Sequence, residues 1–479
     1  MKYFYNHKLL RLRKSDFLWL NFSIIFLLTI TLTNELFDVS LHTFGILILL
    51  DIFMILALYI SKRQFTFELF LIFLIILFIF SKFAAGVLES DPSFYNETDL
   101  FQVIHISDDI TKSIFFLYAI LVNILLTISI ILPLKKLTNS LGRKFNRDWL
   151  HSLDFVNSTL IATFFLCYLY VQFYYISYIF DTSYLKVFNS SEFWGSNYRD
   201  LLSRLLYVNL SIAYILSVFL KKPKYKAILI VGIVFLFLEI LPGQRGHVVL
   251  FILSILCWKS IVSNSRFRLL GATFLFIGSL FLMVILDFFR GSSPVSEGFL
   301  AYALNGFGMP LNLHQFSMYY QMELQSFERV YSVYGVKEYF DRLFNFDNSV
   351  DFINRSGELL SQTSYLGHKI SAIVNYEAWL AGYGTGSAFL MELWLDFGYF
   401  IAIVILTIIL FGYRLLSHYI RLSSSLAPSL IYLTITPYFL FLPRGSLSNA
   451  FPSLVSVLIY WYMICILVTI VNKLKFRFV

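Results

Sequence analysis

Residues 227–258 read AILIVGIVFLFLEILPGQRGHVVLFILSILCW, two apolar runs on either side of a short turn that holds Pro242, Gly243, Arg245 and Gly246. Neither run alternates as a half-buried strand does. As helices rising about 1.5 Å per residue, each is long enough to pass through most of a hydrocarbon layer about 30 Å thick. A helix also satisfies its own backbone N–H and C=O groups, which a lipid environment demands. The stretch is therefore read as two membrane helices, about 227–241 and 247–264, joined at Leu241–His247.

The same pattern recurs along the chain. Its 479 residues are 58% hydrophobic, 19% aromatic and only 14% charged, with mean hydropathy +0.74. That composition excludes a soluble multidomain protein and fits an all-α polytopic membrane protein. The net charge of +8 gives no sign of a nucleic-acid partner, because Lys and Arg fall between apolar runs and act as topology signals. Cys167, Cys257 and Cys465 all lie within apolar runs, where they pack as small hydrophobes; neither a disulfide framework nor a metal-ligand spacing is present. The first apolar run follows Lys8, Arg11, Arg13 and Lys14 and lacks a small-residue cleavage site, so it is expected to remain as a helix.

Twelve spans are expected, at 17–37, 41–60, 65–87, 113–134, 154–180, 203–220, 227–241, 247–264, 269–289, 386–411, 428–442 and 447–471. With the N-terminus in the cytoplasm, every second connection is cytoplasmic. Those connections carry Lys62 and Arg63, Lys135 to Arg147, Lys221 to Lys226, Lys259 to Arg268, Arg414 and Arg421, and the basic C-terminus. The opposite face is acidic, with Glu89, Asp91, Glu97, Asp99, Asp108 and Asp109 in one connection. The organisation is thus 1–289 with nine spans, 290–385 as one large external loop, and 386–479 with the last three spans and a cytoplasmic C-terminus. Within the loop, Phe299–Phe327 is apolar enough to form helices lying on the membrane surface. No internal repeat is visible, which weakens a reading as a transporter built from inverted halves.

Three Arg-Gly pairs, Arg245-Gly246, Arg290-Gly291 and Arg444-Gly445, fall on the face that membrane proteins keep poor in cations. Arg245 and Arg444 precede spans eight and twelve, where free helix amides and the dipole favour an anion. Guanidinium adds a fork matched to phosphate oxygens, and Gly246 and Gly445 leave the backbone open to approach. Arg290 closes span nine and contributes charge alone. An arginine at a helix end also snorkels to headgroups, but three such pairs point to a shared anionic site. A transfer to a hydroxyl needs a proton acceptor, and Glu377, His368 and His314 are the candidates. Tyr302, Tyr319, Tyr320, Tyr331, Tyr365 and Trp379 suit either sugar stacking or packing at the bilayer interface. Glu392 and Asp396 are four apart, on one helix face that looks into the bundle; they could bind a substrate or a cation, but the favoured role is to hold Arg245 or Arg444, because buried charges need partners.

The Gly243-x-Arg245-Gly246 turn opening an apolar helix, the long external loop, and the run Gly382-Tyr-Gly-Thr-Gly-Ser387 leading to Glu392-Leu-Trp-Leu-Asp-Phe-Gly398 resemble the Wzy-type O-antigen polymerases of bacterial inner membranes. The resemblance covers mainly residues 230–450. It implies a membrane-embedded glycosyltransferase of GT-C-like fold, needing no metal or other cofactor, that acts on undecaprenyl-diphosphate-linked oligosaccharide repeat units at the periplasmic face. A chain-length-regulating co-polymerase is an implied partner besides membrane lipid. Some members carry an Arg followed after ten residues by Gly; here Leu256 and Ala301 stand at that spacing from Arg245 and Arg290, so no role transfers from that pattern. A ligase moving finished polysaccharide to a lipid core and a flippase for lipid-linked sugar are the competing readings.

Overall fold

A computed structural model describes residues 14–61, 66–91, 93, 97–98, 104–133, 147–182, 196–220, 225–240, 245–263, 299–327, 329–344, 357–380, 384–423 and 426–475. The expected ninth span, the turn 241–244 and Arg290 lie outside the described residues. Among those described, the chain is helical apart from short connections and one antiparallel pair of strands, β1 (Glu97–Thr98) and β2 (Ile104–His105), with Glu97 opposite His105. It is an all-α polytopic membrane protein.

The first part comprises α1 (Lys14–Phe37), α2 (Leu41–Ser61), α3 (Phe67–Glu89), α4 (Asp108–Ile131), α5 (Arg147–Thr182), α6 (Ser196–Leu220), α7 (Tyr225–Ile240) and α8 (Arg245–Ser263). The connection that follows holds α9 (Phe299–Gly308), α10 (Pro310–Tyr319), α11 (Gln321–Ser326), α12 (Tyr334–Phe344), α13 (Gly357–Gln362), α14 (Leu366–Val374) and α15 (Tyr376–Leu380). The last part is α16 (Phe389–Ser423), α17 (Leu426–Leu440) and α18 (Ala450–Lys475). Among the described residues, eight helices are long and apolar enough to cross a membrane, and the apolar parts of α7, α8 and α17 are shorter. At about 22–24 Å, α7 and α17 fall short of a 30 Å core.

Local chemistry explains several boundaries. Thr66 caps α3 by accepting the Leu69 N–H at 3.3 Å. Asp108 and Asp109 stand in the first turn of α4, where the dipole favours them. Midway along α3 the ladder widens to a π turn over Ile76–Phe80, a feature frequent at functional sites. Gly398, at φ +74°, bends α16 after its first turns, a conformation that suits glycine.

The helices of the large connection were expected on the membrane surface. Instead α9 packs along the second half of α3, and α10 packs against α4 and the π turn. Every residue from Pro310 to Met318 is buried. Three polar side chains of α10 help make this possible because they bond to α3 or α4. Asn312 accepts from Lys82 Nζ at 2.6 Å, Gln315 donates to Thr111 Oγ1 at 2.9 Å, and His314 bonds Tyr118. Gly308 lets α9 approach, since a Cβ there would lie 2.4 Å from the Lys82 backbone nitrogen.

Candidate functional site

The connection between α17 and α18 is fastened to the start of α16. Glu392, in the first turn of α16, is fully buried, and its two carboxylate oxygens accept from Ser387 Oγ at 2.5 Å and from Ser446 Oγ at 2.8 Å. Ser446 and Ser448 share a further bond of 2.7 Å, and Ser448 Oγ accepts the Gly335 N–H at the head of α12. The Phe389 N–H donates to Gly445 C=O at 3.1 Å. A buried carboxylate requires such donors. The partner expected for Glu392 was an arginine; the partners found are serine hydroxyls, one of them two residues beyond Arg444.

Arg444 itself is exposed, in a turn closed by its N–H donating to Phe441 C=O at 2.8 Å. Its guanidinium lies 5.8 Å from the ring centre of Phe78, within the π turn, and Phe441 packs edge-on against the same ring. Phe78 stands near the middle of α3, so the arginine turn lies alongside the middle of that helix and not at its end. Gly445 is required here, because a Cβ would fall 2.6 Å from the Phe441 ring.

Helix α14, which bears His368, approaches this turn through two glycines. A Cβ on Gly367 would fall 2.1 Å from Gly386 C=O, and one on Gly386 would stand 3.8 Å from Arg444 C=O. The head of α14 is thereby pressed against the strand of chain that abuts the arginine turn. His368 follows Gly367, and its Nδ1 accepts from Trp379 Nε1 at 3.1 Å. That bond leaves the neutral imidazole with its proton on Nε2, as a donor. Tyr365 stands edge-on to His368 with ring centres 5.0 Å apart, and Tyr334 lies 4.9 Å from Tyr365. Burial pushes the Tyr334 phenol well above its ordinary range, as do neighbouring Glu338, Tyr365 and Glu392, so it remains a donor. Glu377 is exposed in the first turn of α15, two residues from buried Trp379.

His314 has a different setting. It is fully buried, with Nδ1–H donating to Pro310 C=O at 2.7 Å and Nε2 accepting from Tyr118 OH at 2.6 Å. Burial lowers its pKa to about 4, which keeps it neutral. Both nitrogens are used within the bundle, and the ring does not join His368 and Glu377. Asp396, one turn beyond Glu392, accepts the Tyr331 and Ser332 N–H groups at 2.9 and 2.7 Å and so ties that segment to α16.

At the other turn, the backbone of Arg245 opens α8 and Gly246 faces open space, with nothing within 4 Å of where a Cβ would stand. Below it is a cluster that sequence reasoning missed. Glu239, fully buried near the end of α7, accepts from Tyr168 OH at 2.5 Å and pairs with buried Arg199 at 3.4 Å. Arg199 donates through Nε to Gln172 at 2.8 Å, and Gln172 donates to Leu238 C=O at 2.9 Å. Its guanidinium also sits 4.5 Å over Tyr175. His247 lies within electrostatic reach of Asp200, Arg204 and Arg199. The available signal was one carboxylate, Glu239, inside an otherwise apolar run next to the Arg245 turn. Arg199 read as part of an external connection because helix α6 begins earlier than its apolar run.

The arrangement offers an exposed arginine on a rigidly held turn, an imidazole and aromatic rings on the helices behind it, and an exposed carboxylate near an aromatic cluster. These suit an anionic, polyhydroxylated substrate. No curated protein and no solved structure matches the chain. The model of the family described as O-antigen polysaccharide polymerase Wzy matches residues 17–475, nearly the whole chain, and the chain belongs to that family.

Proposed function

We propose that the chain joins undecaprenyl-diphosphate-linked oligosaccharide repeat units into surface polysaccharide at the periplasmic face of the bacterial inner membrane. The observation that carries this is the exposed Arg444, whose turn is fastened through Ser446 to buried Glu392 and meets, at Gly386, the segment against which the head of the His368 helix is packed. The full complement is twelve spans in a GT-C-like fold, with the basic connections cytoplasmic. Helix α17, at about 22 Å, is shorter than a 30 Å hydrocarbon core, which would set the Arg444 turn within the depth of the bilayer. A headgroup entering from the bilayer then meets Arg444 and the amides that open α8 at Arg245 and Gly246.

In the reaction, a hydroxyl oxygen on the non-reducing end of one repeat unit attacks C1 of the reducing-end sugar of the growing chain. The C1–O bond to the lipid diphosphate breaks, and the bonding electrons leave with the diphosphate. Arg444, assisted by Arg245 and by Arg290, stabilises that developing charge. Glu377 takes the hydroxyl proton, and His368 donates a hydrogen bond through Nε2. His314 is held back as a structural residue, since Tyr118 and Pro310 occupy both of its nitrogens. Glu392 orients the arginine turn, and a chain-length-regulating co-polymerase acts on the product.

The test is turnover of a purified lipid-linked repeat unit by the full chain. Removing one preorganised donor from a developing oxyanion typically costs about 10²–10³ in rate, so Arg444→Ala is expected to lose that much at normal protein level, and Arg444→Lys to recover part of it. Polymer formed at the parental rate by Arg444→Ala overturns the assignment. Glu377→Gln is expected to lose rate without losing binding; an unchanged rate overturns Glu377 as the base.

A further inference from the structure

Beside the bend at Gly398 a cleft of about 220 Å³ opens between α11, the segment after it and α16. Gln325, Arg329, Asp396 and Phe397 bring an amide, a guanidinium, a carboxylate and an aromatic ring to it, on a floor that includes buried Leu395. Phe397 is 42% exposed. The polar groups are held firmly. Asp396 accepts two backbone N–H groups from Tyr331 and Ser332, Arg329 donates to Ser361 C=O at 2.8 Å, and Gln325 makes a long 3.5 Å contact with Leu395 C=O. Each carboxylate oxygen and the amide retain bonding capacity beyond these bonds.

We infer that this cleft is a subsite for a single sugar ring of the substrate glycan. This inference rests on the function proposed above. The cleft is smaller than the several hundred Å³ of a drug-sized site, which suits one ring and not an oligosaccharide. Planar polar groups match paired ring hydroxyls, and an exposed aromatic face matches the C–H face of a pyranose. Position supports the same ligand. Asp396 follows Glu392 by one helical turn, about 6 Å of rise, and Glu392 fixes the turn of Arg444. A glycan with its diphosphate at Arg444 would run along the first turns of α16 into the cleft.

The experiment is saturation-transfer NMR on the full chain in nanodiscs with two probes, the lipid-free repeat-unit oligosaccharide and inorganic pyrophosphate. Phe397→Leu keeps an apolar side chain and removes the ring. The oligosaccharide is expected to bind this variant roughly three- to tenfold more weakly than the parent. Equal affinity in the two proteins, or no oligosaccharide binding to the parent, overturns the inference and marks Phe397 as a bilayer contact. Pyrophosphate reports separately on the arginine site: Phe397→Leu should leave its binding unchanged and Arg444→Ala should abolish it. Pyrophosphate binding that survives Arg444→Ala counts against the proposed diphosphate role alone, since the oligosaccharide arm is read independently.

Discussion

Glu392 shows how far one side chain reaches in this protein. It is a fully buried carboxylate whose oxygens are matched by Ser387 and Ser446, and through Ser446 it sets the turn that presents Arg444. Glu392→Leu leaves two buried hydroxyls without an acceptor, at a cost of about 1–3 kcal/mol each. The expected outcome is a large fall in polymer formation with Arg444 intact, together with a lowered unfolding temperature in detergent; Glu392→Gln, which keeps an acceptor oxygen, should fall far less. Gly367→Ala is a sharper case, because the new Cβ would meet backbone rather than a side chain. Folded protein is expected to be largely lost, measured as the monodisperse fraction on size exclusion. His314 gives the opposite contrast. His314→Leu strands the Tyr118 hydroxyl, so it should destabilise, and the double variant His314→Leu/Tyr118→Phe should recover stability and retain polymerisation, measured by thermal shift and turnover. Glu377, His368, Arg245 and Arg444 could be singled out by residue type and position in the sequence. That Glu392 would bond serines, and that His314 would be enclosed, could not, since the partners lie elsewhere in the chain.

At the scale of elements, polar bonds between helices fix how the apolar rods sit. Arg199 on α6, Glu239 on α7 and Gln172 on α5 lock three helices beneath the Arg245 turn. Removing one partner of such a buried pair leaves an uncompensated charge, typically about 3–5 kcal/mol, whereas removing both can be close to neutral. Arg199→Met and Glu239→Met are therefore each expected to unfold at clearly lower temperature than the double variant, in a thermal melt of the solubilised protein. The helices of this region were legible as apolar runs. The lock was not, because periodicity reports the face a residue occupies and not which other helix meets it. The same limit explains α9 and α10. Their helical character was readable from Phe299–Phe327, but the segment read as helices lying on the membrane surface, with His314 a candidate proton acceptor. Lys82, Tyr118 and Thr111, contributed by α3 and α4, help make the burial of Asn312, His314 and Gln315 favourable.

For the whole molecule, the sequence by itself determined that the chain is an all-α membrane protein with apolar spans and a long connection before α16. Hydropathy is a local property judged against a solvent that cannot bond a bare backbone, so each span can be read without its neighbours. Tertiary structure decided which buried polar groups answer one another and what the arginine turn packs against. Phe78 beneath Arg444, Ser446 on Glu392 and Gly386 between α14 and the arginine turn join residues far apart in sequence. Each such pairing depends on distance and angle in three dimensions, and a hydrogen bond or an ion pair in a low-dielectric interior exists only where the packed helices bring both partners together.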